Sequence, residues 1–149
     1  MINLNGNSSS SRQVTFITHP SIQSKAFASY LSETLMAPVV LQNINKPLAQ
    51  RLAKDSVILF DIAVSNKKLN GVWRDIIRLQ ADNPRLLIIN SAQKYELYEM
   101  AQWPALYGVF RHDDDESRLI EGVKAVLNGE QTAELSVMHP AMYAADHAS

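Results

Sequence analysis

Short apolar runs alternate with longer amphipathic segments along most of this chain. The apolar runs are rich in β-branched and aromatic residues, which is typical of strands, and the segments between them carry apolar residues at helical spacing. Strands are expected at residues 14–18, 39–42, 56–61, 85–90 and 106–110, and helices at 22–36, 47–53, 69–81, 94–100 and 115–127. This alternation favours a parallel sheet that is covered by helices on both faces and joined by right-handed crossovers.

The third expected strand is the most informative of the five. It runs from Ser56 to Asp61 and is apolar on both faces, as is typical of a central parallel strand between two layers of helices. The pattern therefore predicts an α/β fold of the flavodoxin-like, doubly wound class with five parallel strands. In such folds function resides at the carboxyl ends of the strands, which draws attention to the acid that ends this one.

Composition narrows the possible functions. A chain of 149 residues predicts one domain, and a net charge of −1 gives no long-range field to attract nucleic acid or an anionic membrane. There is no cysteine, and the four histidines lack the spacing of a zinc site, so we expect neither a metal nor another cofactor.

No signal peptide or membrane-spanning stretch is evident, and we expect a cytoplasmic protein without membrane contact.

The two ends of the chain differ from its middle. Residues 1–12 are polar and are expected to form a disordered leader, and residues 13–130 are expected to form the domain. Residues 131–149 contain Pro140 and many small residues, which indicates a short C-terminal helix or a linker.

The residues at the expected strand ends resemble those of receiver domains in LuxR/FixJ-type response regulators, which have the CheY-like receiver fold. Asp61 matches the position of the phosphoacceptor, and Ser91 matches the hydroxyl residue that follows strand four. Ile17 and Thr18 occupy the positions of the family's acidic pair, and His112 stands where the family has its lysine.

These departures bear on the chemistry that the resemblance implies. Phosphorylation of an aspartate uses a Mg²⁺ ion, which requires several hard oxygen ligands, and a lysine that adds a fixed positive charge. Asp61 without the acidic pair offers few ligands, and histidine is mostly neutral at pH 7 unless its pKa is raised. We therefore expect little or no phosphorylation of Asp61. The alternative to any regulatory role is a strand-end acid that is satisfied by loop N–H groups.

A more specific resemblance lies in the second half of the chain. The stretch from Gln102 to Phe110, QWPALYGVF, is similar to the CsgD/VpsT-like branch of these regulators. That resemblance implies no enzymatic activity. It implies a non-canonical receiver that forms homodimers and controls a C-terminal helix-turn-helix, which binds promoters of biofilm, colonisation or competence genes. No helix-turn-helix is recognised before Ser149, so DNA contact is expected from a domain that this chain lacks.

Large aromatic side chains near the expected fourth helix and fifth strand are candidate dimer anchors, because they bury much area. They are Tyr98, Trp103 and Tyr107.

Members of this branch that bind cyclic di-GMP carry a motif of four residues after the last helix: Trp, then Leu, Phe or Met, then Thr or Ser, then Arg. Here the corresponding positions are Gln131, Thr132, Ala133 and Glu134. They lack the aromatic ring that stacks on guanine and the arginine that pairs with phosphate. We expect no cyclic di-GMP binding through this segment.

Two other functions remain open from the sequence. Asp61 could accept a phosphoryl group despite the altered pocket and act as a phosphorylation-dependent switch. Alternatively, the crevice near Thr18, Asp61 and Ser91 could make the domain a stand-alone sensor of a small ligand.

Overall fold

A five-stranded sheet forms the centre of the protein. The computed structural model describes residues 13–129, and its strands lie in the order β2-β1-β3-β4-β5, with every neighbouring pair parallel. The strands are β1 Val14–Thr18, β2 Val39–Asn43, β3 Val57–Asp61, β4 Arg85–Ser91 and β5 Leu106–Arg111. This order defines the flavodoxin-like, doubly wound class, and the fold predicted from the sequence is confirmed.

Four α-helices lie within the described residues. They are α1 Ile22–Leu35, α2 Lys67–Gln80, α3 Leu97–Ala101 and α4 Glu116–Leu127. Capping side chains fix where the two long helices begin: Ser21 and Ser24 form a reciprocal capping box before α1, and the Asn66 side chain accepts from the Leu69 N–H at 2.8 Å. None of the helices in residues 13–129 is long and apolar enough to cross a membrane.

The prediction of a helix at residues 47–53 is wrong, because this segment forms an irregular connection between β2 and β3. The buried side chain of Gln42 organises it. The Gln42 amide donates to the Pro47 carbonyl at 3.0 Å and accepts from the Ala49 N–H at 2.9 Å. Backbone groups that a short helix would pair internally are thus paired with a side chain instead.

Two apolar layers sandwich the sheet. One lies beneath α1 and α4, where Leu31 and Val123 are fully buried. The other lies beneath α2, where Trp73 packs with Trp103 in the same cluster. Side chains alternate along β3, with Leu59 in the first layer and Phe60 in the second. The next residue, Asp61, therefore returns to the α1 and α4 face at the end of the strand.

The expected leader at residues 1–12 and the expected helix or linker at residues 131–149 lie outside the described residues.

Candidate functional site

The carboxyl ends of β1 and β3 meet at the point where the winding of the sheet reverses. β1 and β3 are neighbours, and the helices that follow them, α1 and α2, pack on opposite faces of the sheet. Such a switch point leaves a crevice outside the strand ends, where doubly wound folds bind their ligands. Thr18 and Asp61 are the last residues of these two strands, so both lie at this crevice.

The Asp61 carboxylate is held by three donors from three parts of the chain. The Thr18 hydroxyl donates to Asp61 Oδ2 at 2.7 Å, while the Asn90 amide donates to Oδ1 at 3.0 Å. The backbone N–H of Ala63 also donates to Oδ1, at 3.2 Å. Asp61 is only 7% exposed, and its buried charge is thus compensated by hydrogen bonds, as burial requires.

Local backbone geometry orients two members of this cluster. Asp61 is the N-cap of a short 3-10 helix, Ile62–Val64, so its side chain turns back to the Ala63 N–H. Asn90 has a left-handed backbone with φ 62, a conformation that asparagine adopts more readily than most residues. This turn brings the Asn90 amide over Asp61.

Asn90 was not among the predicted pocket residues, whereas its neighbour Ser91 was. The sequence does place an asparagine at the end of an apolar strand, a position where asparagine often adopts a left-handed turn. What the sequence did not show is which of the two neighbouring polar side chains faces Asp61.

The predicted pocket residues separate into two groups. Thr18 contacts Asp61, whereas Ile17 lies on the opposite face of β1 in the second core layer, fully buried, because neighbouring residues of a strand point to opposite faces. The Ser91 hydroxyl donates to the Gln93 carbonyl at 2.5 Å rather than reaching Asp61. His112 is exposed, and its backbone N–H donates to the Ser91 carbonyl at 3.0 Å.

A Mg²⁺ ion does not fit this arrangement. It needs several hard oxygen ligands in near-octahedral geometry, and residues 13–129 contain no group of three or more His, Cys, Asp or Glu side chains that could hold a metal ion. Thr18 and Asn90 already donate to the one carboxylate in the crevice. An ion at Asp61 would find one acceptor site left on this carboxylate and no second carboxylate among the described residues that line the crevice.

The three candidate dimer anchors lie in different environments. Trp103 is only 5% exposed. Its ring packs against Phe60 with 4.9 Å between centroids, and its indole N–H donates to the Tyr95 hydroxyl at 3.2 Å. Trp103 is therefore a core residue. Tyr107 is half-buried against the first core layer, whereas Tyr98 is 67% exposed.

A shallow groove borders Trp103 between α2 and α3. The Arg74 guanidinium lies 5.3 Å from the centre of the Trp103 ring, a cation–π contact. Burial is the main cause that raises the pKa of Tyr95 above its ordinary value. The Tyr95 phenol therefore stays neutral at physiological pH, and Tyr98 lines the same groove.

The positions compared with the cyclic di-GMP motif, Gln131, Thr132, Ala133 and Glu134, lie outside the described residues.

A doubly wound sheet with an acid at the end of its third strand defines a receiver-like domain. Residues 16–133 match the family described as "VpsT-like, receiver domain", and the chain belongs to this family. The match begins within β1 and includes β2 to β5 and all four helices of the described residues. This confirms the resemblance inferred from the strand ends and from the QWPALYGVF stretch.

Named relatives agree with this assignment. The chain is 32% identical over 114 residues to the CsgBAC operon transcriptional regulatory protein of Escherichia coli (strain K12), covering 76% of this chain and 52% of the relative. It is 29% identical over 123 residues to the probable csgAB operon transcriptional regulatory protein of Salmonella typhimurium (strain LT2), covering 83% and 56%. The chain thus spans about half the length of the curated relatives it matches.

A solved structure shares the fold. The crystal structure of the master biofilm regulator CsgD regulatory domain superposes with a TM-score of 0.76 at 27% identity, covering 86% of this chain and 98% of that domain. The protein is a receiver domain of the CsgD-like transcriptional regulators.

Proposed function

We propose that this domain is a phosphorylation-independent pseudo-receiver that forms homodimers and thereby controls DNA binding by a transcriptional regulator. The observation that carries the proposal is the set of hydrogen bonds that the Asp61 carboxylate accepts. Its two carboxylate oxygens already accept hydrogen bonds from Thr18, Asn90 and Ala63. The one acceptor site that these hydrogen bonds leave on Oδ2 would have to serve both a metal ion and the attack on a phosphoryl group.

Electrostatics supports the same proposal. Phosphoryl transfer places additional negative charge beside the acceptor, which proteins offset with metal ions and fixed cations. At Asp61 the ligands for Mg²⁺ are replaced by neutral groups, and His112 is exposed beyond the end of β5. Neither neutral donors nor an outward histidine provides the missing positive charge.

The output of the domain would be pairing rather than catalysis, and we expect no enzymatic activity. Leu97 and Tyr98 are neighbouring exposed apolar residues on α3, and aromatic anchors of this kind contribute strongly to interfaces. We infer that a dimer formed through this surface positions two helix-turn-helix domains, contributed by polypeptide outside these 149 residues, on a promoter in the cytoplasm. The relatives' names point to biofilm genes as targets, with colonisation or competence genes as related possibilities.

The first test is the solution mass of the domain by light scattering over a range of concentrations, with and without Mg²⁺ and acetyl phosphate. We expect a dimer whose mass depends on neither addition, and intact-mass spectrometry should show no phosphoryl adduct. A monomer that dimerises only with acetyl phosphate, with an adduct lost in Asp61→Asn, would show that Asp61 is a working phosphorylation switch.

The second test concerns the pairing surface. Tyr98→Glu places a charge on the proposed interface and should shift the domain to monomer, because burial of an unpaired charge is costly. Tyr30→Glu is the matched control, since Tyr30 is also an exposed tyrosine but lies on α1. Equal effects of both variants, or no effect of Tyr98→Glu, would exclude α3 as the pairing surface.

A further inference from the structure

The crevice above Asp61 is large enough to hold a small molecule. Its volume is about 500 Å³, which falls in the range of known ligand sites. Its walls are mainly apolar and include Phe16, Phe27, Val64 and Leu119. The polar residues of the same crevice are Thr18, His19, Ser21, Gln23, Ser24, Asp61 and Asn90. A cavity with apolar walls and a few convergent polar groups is typical of a binding site.

Three of these polar residues, Thr18, Asp61 and Asn90, are rich in hydrogen-bond acceptors. A carboxylate has about four acceptor sites, and Asp61 uses three of them: two on Oδ1, for Ala63 and Asn90, and one on Oδ2, for Thr18. One site on Oδ2 therefore remains. The Thr18 hydroxyl oxygen can also accept, and Asn90, which directs its NH₂ to Asp61, keeps its carbonyl oxygen as an acceptor.

The charge of the crevice selects the sign of its ligand. Asp61 is buried, and the two ion pairs found within residues 13–129 join Arg78 to Asp75 and Arg111 to Asp113. Among the described residues, Asp61 is the one acidic side chain that lines the crevice, and the one basic side chain is the exposed His19, with no lysine or arginine. A cation that donates hydrogen bonds would complement the carboxylate, and an anion would be repelled in a site of reduced dielectric.

We propose that the crevice binds a small organic cation, with an ammonium group on Asp61 Oδ2 and a hydrocarbon body against the apolar walls. An ammonium carries three donors, which suits the acceptors of Asp61, Thr18 and Asn90. The edge-to-face pair of Phe16 and Phe27, with 5.8 Å between ring centroids, provides an apolar wall for the body. The site would give the domain an input that does not require phosphorylation.

The test compares three probes of the same shape and different charge: 2-phenylethylammonium, 2-phenylethanol and 3-phenylpropionate. Each is titrated into the ¹⁵N-labelled domain, and chemical shifts report the Kd. We expect the ammonium to bind at least tenfold more tightly than the alcohol, and the carboxylate to show no saturation. Equal binding of ammonium and alcohol, or saturation by none of the probes, would overturn the proposal.

Two variants and one control variant test the location of the ligand. Asp61→Asn should weaken ammonium binding at least tenfold and leave the alcohol unchanged. Val64→Trp should block the crevice, whereas Val72→Trp, at a valine of similar exposure on α2 (40% and 44%), should bind like the unmodified domain. Unchanged binding in Val64→Trp would place any bound amine elsewhere, and this result holds even if Asp61→Asn fails to fold.

This proposal extends the pseudo-receiver function but can fail separately from it. The probe titration measures occupancy of the crevice, and light scattering measures pairing. Loss of ammonium selectivity with an unchanged dimer would overturn only the ligand site, and a monomer that still selects the ammonium would overturn only the pairing function.

Discussion

The two halves of the carboxyl edge of the sheet differ in how their polar residues are used. At the ends of β1 and β3, Thr18 and Asp61 are buried and join each other directly. At the ends of β4 and β5, the strand register shifts, Ser91 turns to a loop carbonyl, and His112 faces solvent. From these two strands only the Asn90 amide reaches Asp61. The acid is thus a buried structural group, and the hydroxyl and cation positions that would serve phosphoryl chemistry do not converge on it.

The largest expected effect comes from returning an acid to the end of β1. Thr18→Asp replaces a hydroxyl that donates to Asp61 with a second carboxylate, and an uncompensated buried charge costs about 3–5 kcal/mol of the free energy of unfolding. Mg²⁺ should recover part of this loss, because a metal that binds only the folded state stabilises it. Urea denaturation with and without Mg²⁺ measures both effects. Equal stabilisation of the unmodified domain by Mg²⁺ would contradict our conclusion that the native crevice does not fit the ion.

The next largest effect is expected from removing the acid. Asp61→Ala leaves the Thr18 hydroxyl, the Asn90 amide and the Ala63 N–H without their acceptor, and we expect a loss of about 2–4 kcal/mol of unfolding free energy. Asp61→Asn is the matched control, since it keeps one carbonyl acceptor in the same volume and should cost about 1 kcal/mol. Chemical denaturation of both variants measures the difference. Equal losses would mean that the hydrogen bonds to Asp61 contribute little.

A smaller change in stability is expected at Asn90, which both donates a hydrogen bond to Asp61 and adopts a left-handed backbone conformation. Both Asn90→Gly and Asn90→Ala remove the hydrogen bond to Asp61, but only glycine adopts the left-handed backbone at φ 62 without a steric penalty. Asn90→Ala should therefore be less stable than Asn90→Gly by about 1 kcal/mol. Thermal or urea unfolding of the pair measures this difference. The opposite order would show that helix and strand propensities outweigh the backbone conformation at this turn.

The smallest effect is expected on the other half of the edge. His112→Ala leaves the backbone hydrogen bond from residue 112 to Ser91 in place, so the free energy of unfolding should change by no more than about 0.5 kcal/mol. The same unfolding experiment measures it, and the solution mass should also stay constant. A loss as large as that of Asp61→Ala would show that the His112 side chain supports the Asp61 cluster, although none of the hydrogen bonds within residues 13–129 joins the two side chains.

The sequence was sufficient for the fold where the hydrophobic pattern was strong. The buried run in β3 and the amphipathic α2 were both predicted within a few residues. Residues 47–53 were predicted as a helix, and this prediction was wrong because the Gln42 side chain pairs with the backbone of Pro47 and Ala49. The spacing of apolar residues within the segment does not reveal a contact with a side chain outside it.

Candidate residues were predicted less completely than the fold. Asp61 and Thr18 could be located because each ends an apolar run, and parallel strands end at one edge of the sheet. Ile17 was placed in the pocket although strand alternation points it into the core, and Trp103 was considered an interface residue although it packs on Phe60. Whether each side chain lies in the core or at the surface depends on which face of its strand or loop packs against the rest of the protein.

The class of fold, the order of the strands and an acid at the end of a buried strand could all be predicted from the sequence, because periodicity and strand length depend on neighbouring residues. The contacts of that acid could not, because they depend on the tertiary structure. Thr18 and Asn90 lie 43 and 29 residues from Asp61 along the chain, and their hydrogen bonds to it exist because three strands end together and one left-handed turn directs an amide inward.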